Sequence, residues 1–123
     1  MITVTCKDYT EEYSLKNDKE NPTVFILGMI PSTCMIGLSN IENTEKLNEY
    51  IIAIARLGIK GWKNLRDKSG NELEYKSDKS FVLGYQKECL TEDLINILPI
   101  RVINELASQI IKLNDLTKEE EKN

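Results

Sequence analysis

Apolar and polar side chains alternate with a period of two along the first part of this chain, which is the pattern of β-strands. Residues 2–7 read Ile, Thr, Val, Thr, Cys, Lys, and residues 9–15 repeat a weaker alternation. After a polar connector, Thr23–Gly28 is rich in β-formers and apolar on both faces. Such a strand lies either at the centre of a sheet or beneath a partner. Residues 2–28 therefore predict a small antiparallel sheet.

The next part of the chain changes to helical spacing. Asn43 is a candidate N-cap, Glu45 suits the first turn of a helix, and Gly58 stands where a C-terminal cap is expected. Between the sheet and this helix, the segment 31–40 fits either a short helix capped by Ser32 or Thr33, or a further strand. The apolar positions of the surer helix recur every three or four residues and predict one buried face: Leu47, Tyr50, Ile51, Ile54, Ala55 and Leu57.

A polar turn lies at the centre of the chain, within Gly61–Tyr75. Its tip, Asp67–Asn71, contains Gly70, which supplies the positive φ of a tight reversal. Apolar side chains on both sides, among them Trp62, predict a β-hairpin with a loop of three to five residues. The short apolar run Phe81–Tyr85 that follows fits a third strand beside this hairpin or a helical turn.

Two more helices are predicted towards the C-terminus. Thr91 caps the first, which runs from Glu92 to Leu98, and Pro99 suits the first turn of the second. The second helix carries a long apolar stripe, whereas residues 117–123 contain no apolar residue and are expected to form a disordered tail. The stripe consists of Ile100, Val102, Ile103, Leu106, Ala107, Ile110, Ile111 and Leu113.

These elements predict an α+β fold. A small antiparallel sheet, built from the N-terminal strands and the central hairpin, packs with two or three amphipathic helices. With 123 residues, the chain is long enough for one core, and we expect a single domain over residues 1–116.

Charge and composition exclude several partners. The formal net charge is −4, so nucleic acid and anionic membranes are disfavoured. The uncharged stretch 21–41 has the length of a membrane span, but two prolines and two glycines interrupt it, and we expect no membrane insertion. The three cysteines lack metal-ligand spacing and fit small buried side chains of a reducing compartment.

Catalytic chemistry finds little support in the sequence. No histidine is present, which removes the commonest general base and metal ligand. Asp67, Glu72 and Glu74 could be imagined as an acidic site, but near a turn such residues usually solubilise the chain and form the turn. Trp62 fits a core anchor better than a binding hot spot. We therefore predict no enzyme activity, no catalytic or metal-binding residues and no cofactor.

Several short segments together are similar to small tail assembly chaperones of long-tailed, siphovirus-like bacteriophages and prophages. That pattern has a Trp-bearing strand that enters a Gly turn, and then a Leu-Pro break that opens an amphipathic helix with an acidic end. The segments that carry the resemblance are Pro22–Phe25, Gly61–Asp67, Gly70–Leu73, Leu90–Asp93, Leu98–Pro99, Val102–Ala107 and Leu116–Asn123.

The resemblance implies a non-enzymatic protein in the cytoplasm of the bacterial host. It would bind and solubilise the phage tape measure protein, help to recruit tail tube protein, and be absent from the finished virion. The competing interpretation is a structural tail or head–tail connector subunit that stays in the virion. The expected contacts with a partner or with a second copy lie on the doubly apolar strand and on the last helix, with Trp62 of the central hairpin as a further candidate. These residues are Val24, Phe25, Leu27, Trp62, Leu106 and Ile110.

Overall fold

The computed structural model describes residues 8–39 and 44–122. Its elements follow in the order β1 (Thr10–Tyr13), β2 (Val24–Gly28), α1 (Ser32–Ser39), α2 (Thr44–Gly58), β3 (Ile59–Lys63), β4 (Ser77–Val82), β5 (Tyr85–Leu90), α3 (Glu92–Ile97) and α4 (Ile100–Lys122). The predicted α+β class is confirmed. The strand predicted at residues 2–7 and the N-cap predicted at Asn43 lie outside the described residues.

The N-terminal strands form a three-stranded antiparallel sheet in the order β1-β2-β3. β2 is central, as its two apolar faces predict, and its register with β3 shifts between Ile26 and Leu27. Helices α1 and α2 connect β2 to β3. The segment 31–40 is thus helical over Ser32–Ser39, and the strand alternative for it is wrong.

The central hairpin turn is present, but only its first arm, within β3, belongs to the three-stranded sheet. Asp67 N–H donates to the Asn71 carbonyl over 2.9 Å, and Leu73 N–H donates to the Leu65 carbonyl over 2.7 Å. Arg66 and Glu72 form an isolated bridge. The prediction that both arms join the sheet is wrong, because β3 pairs with β2 and the second arm continues as an extended segment without a strand partner.

Residues 77–90 form a second, two-stranded antiparallel sheet that the sequence analysis did not predict. Phe81 and Val82 end β4, Leu83 and Gly84 form the turn, and Tyr85 begins β5. Both expectations for Phe81–Tyr85, a third strand beside the central hairpin and a helical turn, are therefore wrong.

α2 and α4 pack against each other, and together with the sheets they enclose the core. Arg56 of α2 fixes the second sheet, since its Nε donates to the Leu90 carbonyl over 2.8 Å and its Nη2 donates to Ser80 Oγ over 3.2 Å. The buried side chains of the two helices are Ala53, Ile54, Ala55 and Leu57 of α2, and Val102, Ile103, Leu106, Ala107, Ile110 and Leu113 of α4.

The ends of the helices follow the predictions in part. Thr91 caps α3 by accepting from Leu94 N–H, and the Pro99 carbonyl accepts from Val102 and Ile103 at the start of α4. α2 ends at Gly58, where the C-terminal cap was expected, but Gly58 does not adopt the positive φ of a left-handed cap. The α4 backbone remains helical through Lys122, into the segment expected to be a disordered tail. Among the described residues, no helix has the length and hydrophobicity to cross a membrane.

Candidate protein-binding surface

The residues predicted to bind a partner lie in the core of this structure. Phe25, Leu27, Leu106 and Ile110 are at most 1% exposed, and Trp62 is 9% exposed. Only Val24 is half-buried. The sheet and the two long helices cover the same apolar faces that the sequence analysis assigned to a partner. Five of the six residues are therefore not accessible at the surface of this fold, and Val24 is accessible in part.

Trp62 is the anchor that joins the central turn to β3. Its ring lies edge-on to Phe25, with centroids 6.3 Å apart, and to Tyr75, with centroids 5.2 Å apart. Trp62 Nε1–H donates to the Leu73 carbonyl over 2.8 Å. Tyr75 O–H donates to the Ile59 carbonyl over 2.7 Å, and burial raises the pKa of Tyr75 to about 12, so it remains a donor. The expectation that Trp62 is a core anchor is confirmed.

An acidic cleft of about 520 Å³ lies between the extended segment 72–78 and the start of α3. Thr91 N–H donates to the Lys76 carbonyl over 3.2 Å, which joins the two walls. Five carboxylates and a single ammonium surround two leucines, so the cleft combines a negative rim with an apolar floor. We call this set of residues the acidic cleft: Glu72, Leu73, Glu74, Lys76, Asp78, Thr91, Glu92, Asp93 and Leu94.

The two walls of the acidic cleft present their carboxylates for different reasons. In the extended segment, Glu72, Glu74 and Asp78 are exposed while Leu73 and Tyr75 point inward, which is the alternation of an extended chain. On the other wall, Glu92 and Asp93 occupy the first turn of α3, where the helix dipole favours negative charge. Both walls are thus held in place by the fold itself.

Two exposed apolar residues follow Leu94 of the acidic cleft along the chain. Ile97 lies one helical turn after Leu94 and is 55% exposed, and Ile100 at the start of α4 is 64% exposed. The sequence analysis placed Ile100 in the apolar stripe of the last helix, but Ile100 is the first residue of α4, directly after Pro99, and its side chain is exposed. We call four apolar residues the apolar strip, and the sequence analysis did not single them out as a surface. Leu73 and Leu94 line the acidic cleft among its carboxylates, and Ile97 and Ile100 are the exposed residues that follow Leu94 along the chain.

The described residues contain no cluster of acidic or cysteine side chains arranged to hold a metal ion. Cys89 is 2% exposed, and burial is the main cause that raises the pKa of its thiol. The neutral thiol is favoured, so Cys89 matches the expected small buried side chain and not a reactive nucleophile.

Comparison with known proteins gives no match, whether to a protein family, a curated protein or a solved structure.

Proposed function

We propose that this protein is a non-enzymatic tail assembly chaperone, which binds the phage tape measure protein in the bacterial cytoplasm and helps to recruit tail tube protein. The proposal rests on the resemblance of the sequence and on one structural observation, the apolar strip bordered by the carboxylates of the acidic cleft. That surface replaces the core residues as the proposed contact.

The chemistry of the surface defines the partner segment that it would bind. A tape measure protein is long and helical, and its apolar seams would aggregate in water before the tail tube encloses it. An amphipathic helix with apolar residues on one side and Lys or Arg beside them would complement Leu94, Ile97 and the carboxylates around them. The negative charge of the remaining surface would keep the complex soluble.

Co-expression with the adjacent tape measure protein tests the proposal. We expect a higher soluble yield of the tape measure protein and a complex that co-purifies. Ile97→Glu should abolish the complex, because it places a charge in the apolar strip. Phe81→Glu is the matched control, since Phe81 is 75% exposed and lies outside the acidic cleft. Equal loss with both variants would rule out the strip as the contact.

The carboxylates have a control of their own. Glu92→Gln removes one charge from the acidic cleft and from the first turn of α3, and Glu45→Gln makes the same change in the first turn of α2. Only Glu92→Gln should weaken the complex, and the weakening should shrink at high salt. If the tape measure protein is equally soluble alone, or if this protein stays in purified tails at fixed stoichiometry, the structural-subunit alternative takes the place of the chaperone.

A further inference from the structure

A second groove, of about 260 Å³, lies where the β2–α1 connection meets α2, β3 and β5. Its floor is apolar and two lysines stand at its side, so its charge is opposite to that of the acidic cleft. The two depressions share no lining residue. We call it the lysine groove, lined by Met29, Ile30, Pro31, Leu57, Lys60, Lys87 and Glu88.

The floor of the lysine groove is fixed to the last helix. Ile30 N–H donates to Asn114 Oδ1 over 3.0 Å, and Asn114 Nδ2 donates in turn to the Ile110 carbonyl over 2.8 Å. Ile30 and Leu57 are buried, and Met29 is half-buried. The floor is therefore held in one position before any ligand arrives, which lowers the entropy cost of binding.

Lys60 is positioned by its packing on Gly28. A Cβ at Gly28 would lie 2.9 Å from Lys60 Cγ and 3.0 Å from Lys60 Cε, so the stem of the lysine covers the glycine. The lost hydration lowers the pKa of Lys60, while the nearby Cys89 acts weakly in the opposite direction. Because Lys60 is nevertheless exposed, its ammonium can meet an incoming anion at the groove.

The lysines are available for such an anion. Neither Lys60 nor Lys87 forms an ion pair with a carboxylate that the structure describes. Glu88 also lines the groove, but its Oε1 accepts from Ser77 O–H over 2.9 Å. The protein as a whole carries a net charge of −4 and repels anionic segments. The lysine groove, with two lysines beside an apolar floor, is instead complementary to an anionic segment.

We propose that the lysine groove binds an acidic peptide segment of a partner protein, with one apolar side chain on the floor and a neighbouring carboxylate against Lys60 and Lys87. The volume supports a peptide side chain, since sites for whole small molecules measure roughly 300–1,000 Å³. This site does not depend on the proposed function, because it selects the opposite charge and uses other residues.

NMR titration of the ¹⁵N-labelled full chain tests the proposal with three acetylated, amidated tetrapeptides. Their sequences are Leu-Glu-Leu-Glu, Leu-Gln-Leu-Gln and Leu-Lys-Leu-Lys. We expect the acidic peptide to shift the amide signals of Met29, Ile30, Lys60 and Lys87, and to raise the pKa of Lys60 followed at its Nζ. Binding of the glutamine peptide should be at least tenfold weaker. Equal binding of the acidic and glutamine peptides, or shifts confined to other residues, would overturn the proposal.

A pair of double variants separates the site from the overall charge. Lys60→Glu with Lys87→Glu should weaken binding of the acidic peptide at least tenfold. Lys68→Glu with Lys79→Glu changes the net charge equally, at exposed positions outside the groove, and should leave the affinity within twofold. If both pairs weaken binding equally, only the net charge acts and the site does not exist. The double variant Lys60→Met with Lys87→Met adds no negative charge. Its affinity for the acidic peptide should also fall about tenfold.

Discussion

Gly70 forms the central turn with a φ of +86°, and an added Cβ would meet nothing within 4 Å. The expected positive φ is confirmed, and the cost of a larger residue there is conformational and not steric. Gly70→Val should lower the free energy of unfolding by about 1 kcal/mol or more, measured by urea denaturation. Gly70→Asn should cost less, because asparagine tolerates this region. A valine variant as stable as the parent would contradict the prediction.

Glu105 holds the N-terminal segment to α4 through two hydrogen bonds to Oε2. Tyr13 O–H donates over 2.6 Å, and Lys16 N–H donates over 2.9 Å. The Tyr13 bond, followed by the Lys16 bond, lowers the pKa of Glu105 from its ordinary 4.5. Burial, together with Glu105, raises the pKa of Tyr13 from 10.0 to about 12.

This pair predicts two pH dependences of opposite direction. A carboxylate whose pKa is lowered by folding stabilises the fold above 4.5, and this contribution is lost as the pH falls through its folded pKa. A phenol whose pKa is raised stabilises the fold below 10.0, and this contribution is lost as the pH rises towards about 12. Tyr13→Phe should flatten both limbs of the stability–pH curve, measured by urea denaturation. If Tyr13→Phe leaves both limbs as steep as in the parent, the Tyr13–Glu105 hydrogen bond is not their cause.

At the scale of elements, Gly58 of α2 packs directly against Ile110 of α4. A Cβ there would lie 2.5 Å from Ile110 Cδ1, 2.6 Å from its Cγ2 and 2.8 Å from its Cγ1. Because Ile110 is fully buried, it has no free direction in which to move. This contact, and not a helix cap, is the structural reason for the glycine.

A double-mutant cycle tests that contact. Gly58→Ala should lower the free energy of unfolding by about 1–3 kcal/mol through overpacking. Ile110→Ala removes all three contacting atoms, so in that background Gly58→Ala should be neutral or stabilising, since alanine also favours helix. Chemical denaturation of the four proteins gives the coupling. Equal effects of Gly58→Ala in both backgrounds would show that the two side chains do not compete for space.

An element could be predicted from the sequence when the residues that determine it lie close together in the chain. The central strand β2, the cap at Thr91 and the turn at Gly70 follow from spacing and turn chemistry within a few residues. The second sheet was missed because its two-residue turn uses Leu83 with a φ of +53°, whereas asparagine or glycine is usual there. A strand alternation through residues 72–78 was the available signal for one wall of the acidic cleft. The packing of this wall beside α3 is a tertiary contact, and the spacing of residues along the sequence could not predict it.

The apolar stripe of α4 shows a second limit of prediction from the sequence. Leu106 and Ile110 were correctly predicted to be buried, but burial within the domain and burial under a partner have the same sequence pattern. Only the packing of α2 and β2 on that stripe decides between them. Ile97 and Ile100, which the proposed function assigns to a partner, stand on either side of the break between α3 and α4, where the helical period is interrupted.

At the scale of the whole molecule, the surface has two depressions of opposite dominant charge. The acidic cleft and the lysine groove each combine an apolar floor with one dominant sign of charge. Each depression repels partner segments that carry its own sign of charge and attracts segments of the opposite sign. The two proposals together describe a small adaptor with two sites of different selectivity, and each can fail without the other.

Leu113 and Asn114 of α4 make contacts just before residue 116, where we predicted that the domain ends. Leu113 is 2% exposed, and Asn114 holds the β2–α1 connection through Ile30. Residues 117–123 contain no apolar side chain, so they have no hydrophobic contribution to make even where the backbone is helical. A chain that ends at Leu116 should therefore unfold in urea within about 0.5 kcal/mol of the full chain.

A chain that ends at Lys112 is the matched control for this truncation, because it differs by only four more residues. It loses the buried Leu113 and both hydrogen bonds of Asn114. Burial of one leucine contributes about 1.5–3 kcal/mol, and leaving a buried donor such as Ile30 N–H without its acceptor adds to the loss. The shorter chain should thus be destabilised by at least about 2 kcal/mol. If the chain ending at Leu116 were destabilised as much, residues 117–123 would belong to the folded domain, and its boundary at residue 116 would be wrong.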